Sequence, residues 1–412
     1  MTARRRFTRR QLIALLSAGA LYGTFRFGHQ RISRPADPHG PLSDEANALI
    51  ARAWQGLDPA RVIDSHVHVV GLGKGGTGCE VGERLQSAFN PVERLKFSIY
   101  LRASGVTDLE QADAQYVGRL QSLADGTPHG RALIFAFDRA HADDGTPQPE
   151  ASEFYTPNDY VLKLATEHPT LFVACGSVHP ARKDAIAELE RIAAGGAVAI
   201  KWLPNAMNID PSSSKHDAYY DALVRLGLPL ITHAGEEKAV HAEEAQRLGN
   251  PLHLRRPLER GVKVVVAHCA ALGRNPDLDA AAGTEWVDNF DLFWRLFSDE
   301  KWKSNLYGEI SAMTQVNRVG RPLRQLLEHP ELHDRLINGS DYPLPAINAL
   351  MQTRAIVNAG FLTEDERTLL NEIDQHNPLL FDFVTKRTLH VGTQRFGDQV
   401  FMPPRSLFPR LA

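Results

Sequence analysis

Cysteine is scarce in this chain: Cys79, Cys175 and Cys269 are the three in 412 residues, and no CxxC pair occurs. An odd, widely spaced count argues against a disulfide framework or a cysteine zinc cluster and leaves thiols expected to be mostly buried. An excess of one charge is lacking too, since 46 Lys and Arg stand against 49 Asp and Glu, a net charge of −3 with a pI near 6.6. With no broad basic field for nucleic acid or anionic lipid, a small molecule is the favoured partner. Internal repeats and low-complexity tracts are absent, and nothing signals an oligomeric state. What is present is ordinary globular material, 43% hydrophobic and 23% charged, enough for a large core. One α/β barrel with insertions reaches this length without a second domain.

The first thirty residues read as an address. Arg4, Arg5, Arg6, Arg9 and Arg10 precede an apolar stretch from Leu12 to Tyr22, the layout of a signal peptide. That stretch is too short for the roughly 20 residues that span a bilayer, so no stable membrane span is expected in the mature chain. Thr8-Arg9-Arg10-Gln11-Leu12 resembles the twin-arginine signal of bacterial proteins exported already folded, which implies export to a bacterial periplasm. An N-terminal membrane anchor is the alternative.

Residues 31–60 read as a linker followed by a helix from Leu42 to Trp54, opened by Ser43 and Asp44. Eight short apolar runs then recur, starting at Val62, Arg131, Leu171, Ala197, Leu228, Val262, Asn305 and Arg335. Between most of them apolar residues fall at helical spacing, as from Tyr160 to Thr166, Ala185 to Ala193, Tyr219 to Leu226 and Asp288 to Phe297. Strand alternating with helix eight times predicts a closed (β/α)8 TIM-type barrel over residues 61–388. Gly71 to Gly130 is too long for an ordinary connection and reads as an insertion over the site, helical at Val92 to Ala103 and Asp108 to Ala124. Helices are expected at Pro345 to Ala359, Thr363 to Glu372 and Pro378 to Lys386, with a tail over residues 389–412.

In VIDSHVHVV, His66 and His68 stand two apart on a presumed strand, so both point to one face and can share an ion. Alone, such a pair is more often core or surface histidine. Lys201, His233, His268 and Asp341, however, each end a later apolar run. Strand C-termini converge on one mouth of a barrel, where active sites form, so residues from five strands would meet.

With these residues in place the chain resembles the amidohydrolase superfamily, in its amidohydrolase-related branch, over roughly Val62 to Lys386. The resemblance implies that His66, His68, His233 and Asp341 bind a primary divalent metal, most simply zinc. It makes His268 either a ligand of a second ion or a catalytic acid/base. Lys201 separates two versions: in binuclear relatives this lysine is carbamylated and bridges two metals, whereas many single-metal relatives form no carbamate. One ion is favoured here. The implied chemistry is metal-activated water attacking an amide, ester or lactone carbonyl, with Asp341 taking the proton and His268 steadying the developing oxyanion or protonating the leaving group. The branch also holds single-metal decarboxylases and hydratases, and a noncatalytic metal- or ligand-binding periplasmic protein is a third reading.

His179, Trp202, Asn205 and Glu309 are further candidates for substrate contact, with Arg182, Glu236 and Glu237 behind them. For any one of these, ordinary loop polarity is the simpler explanation. The glycine-rich GLGKGGTG after the first run lacks phosphate-loop spacing and reads as a flexible lid.

Overall fold

The computed structural model describes residues 37–125, 129–238, 243–281 and 285–411; the signal expected over residues 1–30 lies outside them. Eight parallel strands make one sheet in chain order: β1 Ile63–His68, β2 Arg131–Phe135, β3 Phe172–Gly176, β4 Ala199–Trp202, β5 Leu230–His233, β6 Val264–Ala267, β7 Leu306–Glu309 and β8 Leu336–Ile337. Each lies inside one of the eight apolar runs. The edges curl until they meet, with Ser65 N donating to Asn338 O at 3.0 Å, Asp341 N to His66 O at 2.8 Å and His68 N to Tyr342 O at 3.1 Å. The sheet is thus nearly closed into the expected TIM-type barrel.

Around it lie α1 Asp44–Trp54, α2 Pro91–Ala103, α3 Ala112–Ala124, α4 Asn158–Glu167, α5 Ala185–Ala194, α6 Asp217–Leu226, α7 Asn289–Phe297, α8 Arg321–Glu328, α9 Glu364–Asp374 and α10 Pro378–Thr388. Ser43 caps α1 by accepting from Ala46 N at 3.2 Å and ties it to α9 through its hydroxyl, which donates to Glu372 at 2.8 Å. Between β1 and β2 the chain runs through α2 and α3, and α2 sets Phe97, Tyr100 and Leu101 against the barrel mouth. The glycine-rich turn after β1 is pinned to α3, because the Asp113 carboxylate accepts from Leu72 N at 2.7 Å and Gly73 N at 3.2 Å.

The helix expected from Pro345 to Ala359 is shorter, covering Thr353–Asn358. Leu350 O instead accepts from Val316 N at 2.9 Å, which ties the preceding segment to the loop after β7. The last residues pack rather than trail. Leu407 and Phe408 are buried with Ile63, Leu133, Phe135, Val265 and Ile337, closing the floor of the barrel.

Strand parity sorts the rest. Ala199, Ile231, Val265 and Tyr307 point inward, while Ile200, Leu230, Val264 and Leu306 face the helices. Two residues further along the inward rows come Lys201, His233 and Glu309. In β1 the register shifts between Asp64 and Val67, an irregularity of the kind that re-aims side chains beside a site. Val67 packs outward, and His66 and His68 face the mouth.

Candidate metal centre

His66, His68, Lys201, His233, His268 and Asp341 all line one cavity of about 500 Å³ at the strand C-termini. His66 Nε2 lies 3.2 Å from His68 Nε2 and 3.4 Å from Asp341 Oδ1, and His68 Nε2 lies 3.3 Å from the same oxygen. Donors sharing a tetrahedral ion at about 2.0–2.1 Å stand about 3.3–3.4 Å apart, so these three atoms form one face of such a polyhedron. His268 adjoins them, its Nε2 being 3.8 Å from Asp341 Oδ2. His66, His268 and Asp341 each offer a ligand atom within 4.8 Å of the others. His233 Nε2 is buried without a hydrogen-bond partner, the state of a donor that awaits an ion or a substrate. The donor set therefore suits a divalent metal.

Two buried side chains orient these donors. His66 Nδ1 lies 2.8 Å from Glu309 Oε2. An ionised carboxylate only accepts, so with Glu309 charged Nδ1 carries the proton and Nε2 turns its lone pair to the centre. Ser311 donates its hydroxyl to the same Glu309 oxygen at 2.6 Å, and His268 Nδ1 lies 2.7 Å from Ser311 Oγ. With the serine proton committed to Glu309, His268 Nδ1 donates and its Nε2 is likewise free. Beneath them Asp64 Oδ1 accepts from Ser340 N at 2.7 Å and His66 N at 3.2 Å, joining the strands that carry Asp341 and His66. Lys386 of α10 donates to Gly339 O and, at 2.6 Å, to Asp382.

Backbone conformation does part of the aiming. Parity would send His268 outward with Val264 and Val266, yet His268, Cys269 and Ala270 all have φ near +50°. Three successive non-glycine residues in the left-handed region are costly, on the order of 1–2 kcal/mol each, and such strain collects at functional sites. Here the turn brings the His268 ring over that of His66, with centroids 5.0 Å apart. Asp341 is left-handed too, at φ +62°.

Burial sets the charge states. It holds His66 and His268 well below their ordinary value, helped by Lys201 and Arg318 respectively, and His233 down at about 3. All three are neutral imidazoles ready to ligate. For Asp341 burial pushes upward but is outweighed by His66, His68 and Lys201, which keep the carboxylate below its usual range and ionised. Burial pushes Glu309 up to about 7, partly offset by its bond from Ser311. Lys201 is lowered by burial against the pull of Asp341 and Glu309, and its Nζ sits 4.9 Å from the centre of the Phe135 ring.

The remaining candidates stand elsewhere. Trp202 follows Lys201 on β4 and so faces the opposite side, where it is fully buried and its indole N–H donates to Val178 O at 3.0 Å. His179 bonds Met207 O at 2.9 Å through Nε2 and accepts from Ala181 N at 3.1 Å through Nδ1, leaving neither nitrogen for a substrate. Asn205 donates to Gly235 O at 3.3 Å and to Gln246 Oε1 at 3.0 Å. None of the three lines the cavity, and Glu309 lies behind His66. Arg182 pairs with Asp138 and Asp184, and Glu237 lines the cavity near His233. Ser311 and Arg318 were not anticipated. Ser311 was findable as the next inward position after Glu309, whereas Arg318 sits on a loop with no period to betray it.

Among curated proteins no relative matches. An uncharacterized TIM-barrel protein from Bordetella bronchiseptica is similar at 16% identity and TM-score 0.44, over 73% of this chain and 99% of that one. A 5-carboxyvanillate decarboxylase from Sphingomonas paucimobilis is similar at 13% identity and TM-score 0.39, over 77% and 96%. A 4-oxalomesaconate hydratase from Rhodopseudomonas palustris is similar at 16% identity and TM-score 0.42, over 85% and 96%. The amidohydrolase family model matches residues 63–370, well over half of the chain, and the chain belongs to that family.

Proposed function

We propose that this chain is a metal-dependent hydrolase that attacks an amide, ester or lactone carbonyl of a small, largely apolar molecule. The observation that supports this reading is the convergence of His66 Nε2, His68 Nε2 and Asp341 Oδ1 at 3.2–3.4 Å in a cavity with a mostly apolar lining. A divalent ion held there, most simply one zinc, would lower the pKa of water toward about 7 and polarise a carbonyl. His66, His68, His233 and Asp341 would hold it. Asp341, ionised and at the centre, accepts the proton of the attacking water. His268, neutral and with the Nε2 lone pair facing the centre, would take up the proton relayed from the water and pass it on to the leaving group. Lys201 remains an unmodified amine in this reading, and export through the arginine-rich segment at residues 4–10 is part of the same proposal.

Metal analysis of protein purified without chelator should return about one ion per chain. Two ions, with a carbon dioxide adduct on Lys201 by mass spectrometry, would replace the single-metal version. Product analysis against a panel of esters, lactones and carboxylated aromatics tests the reaction class. Turnover only with loss of carbon dioxide, or only by hydration of a double bond, would replace the hydrolase by a lyase.

A further inference from the structure

The loop after β7 carries a cation that the proposed mechanism does not use. Arg318 lines the same cavity as the metal centre, and its Nε and Nη1 are buried with no hydrogen-bond partner. Among the described residues, no carboxylate lies within ion-pair distance of it. A guanidinium left in this state is costly, because its donors have given up water for nothing. Its position is also firm: Arg318 N donates to Gln315 O at 2.9 Å, and the neighbouring Val316 N is tied to Leu350 O at 2.9 Å. The cavity around it is apolar on most sides, with Phe97, Phe135, Phe137 and Phe154 among its walls. Its formal charge is positive even without a metal, since Lys96, Lys201, Lys238 and Arg318 line it against Glu237 and Asp341.

We infer that Arg318 is a specificity-determining residue that binds an anionic group, such as a carboxylate, on a substrate with an apolar or aromatic body. The inference rests on the reading of this cavity as a substrate site beside a metal centre. An apolar wall accepts the ring, and the planar fork of Arg318 donates to two oxygens of the anion, a role that no carboxylate among the described residues fills. Arg318 is not placed among the groups that move protons, so its loss should change which ligand is held rather than whether metal is bound.

The test is calorimetric titration of the metal-loaded protein with 3-phenylpropionate and with the neutral 3-phenylpropanol. Wild type should bind the carboxylate about 10-fold or more tighter than the alcohol, as expected for a charge-assisted pair. R318M should bring the two affinities within about threefold while retaining the alcohol affinity and the metal content, with a melting temperature no lower than that of wild type. R318K, which keeps the charge but not the fork, should fall between. A carboxylate preference that survives in R318M would overturn the inference, since the anion would then be held by the metal or a lysine. So would equal binding of both probes, or no carboxylate binding, in wild type. Protein that holds no metal would count against the proposed hydrolase, and the comparison of wild type with R318M would still decide the role of Arg318.

Discussion

The backbone N–H of Asp341 donates to the carbonyl of His66 at 2.8 Å, so a bond that closes the barrel also sets the two candidate metal donors 3.4 Å apart. Closure and site assembly are one event. The fold cannot join β1 to β8 in this register without bringing the HxH pair to the aspartate.

Asp341→Asn should therefore keep the fold and lose the ion. The amide presents the same shape without the negative charge, so metal content should drop to a small fraction of wild type and turnover by about 100-fold or more. Elemental analysis together with circular dichroism checks this. Wild-type metal content in a folded variant would remove Asp341 from the ligand set.

Glu309→Gln should weaken the metal without abolishing it. The Glu309 carboxylate fixes which nitrogen of His66 carries the proton, at 2.8 Å, and such partners are worth about 10–100-fold in affinity. Ser311→Ala should act in the same direction more weakly, since it removes the bond that joins Glu309 to His268. Chelator-competition titrations measure both, and affinities equal to wild type would leave Glu309 a merely structural carboxylate.

His179 supplies a pH dependence away from the metal. Burial lowers it from 6.5 to about 3, so the folded protein refuses a proton that the unfolded chain accepts below about 6.5. Its contribution is fully present above that value and is lost as pH falls toward about 3. Melting temperatures of wild type and His179→Gln should thus differ most near neutral pH and converge in acid. Parallel curves would show that His179 takes up its proton without cost.

Removing residues 404–412 should destabilise the barrel from its floor, because Leu407 and Phe408 are buried against Ile63, Phe135 and Val265. Exposing that surface costs about 3 kcal/mol or more, a drop of roughly 3–6 °C in melting temperature. Thermal unfolding of the truncated chain, with metal content as a second reading, tests whether these residues are a plug or an ornament.

All eight strands were legible because each is a short apolar run buried on both faces, a pattern that survives without knowledge of its neighbours. Helix α8 was passed over, since Arg321, Arg324, Gln325 and Glu328 outweigh the three leucines that it buries, Leu323, Leu326 and Leu327. Strand parity alone excludes Trp202 from the mouth: a residue next to Lys201 on a strand cannot share its face. The segment 345–352 is not decided in the same way, because its backbone is claimed by a hydrogen bond to the loop after β7.

By itself the sequence determined the barrel, the six residues at its mouth and their suitability for a divalent ion, since period, strand order and residue type are local properties. Only the tertiary structure decided which atoms face one another. It set His66, His68 and Asp341 at ligand spacing, turned His268 inward through three left-handed residues, and stationed Glu309 and Ser311 behind the histidines. It also left Arg318 with no ion-pair partner among the described residues in an apolar cavity. Such outcomes depend on barrel closure and loop packing, which join residues more than 200 positions apart and leave no period in the chain.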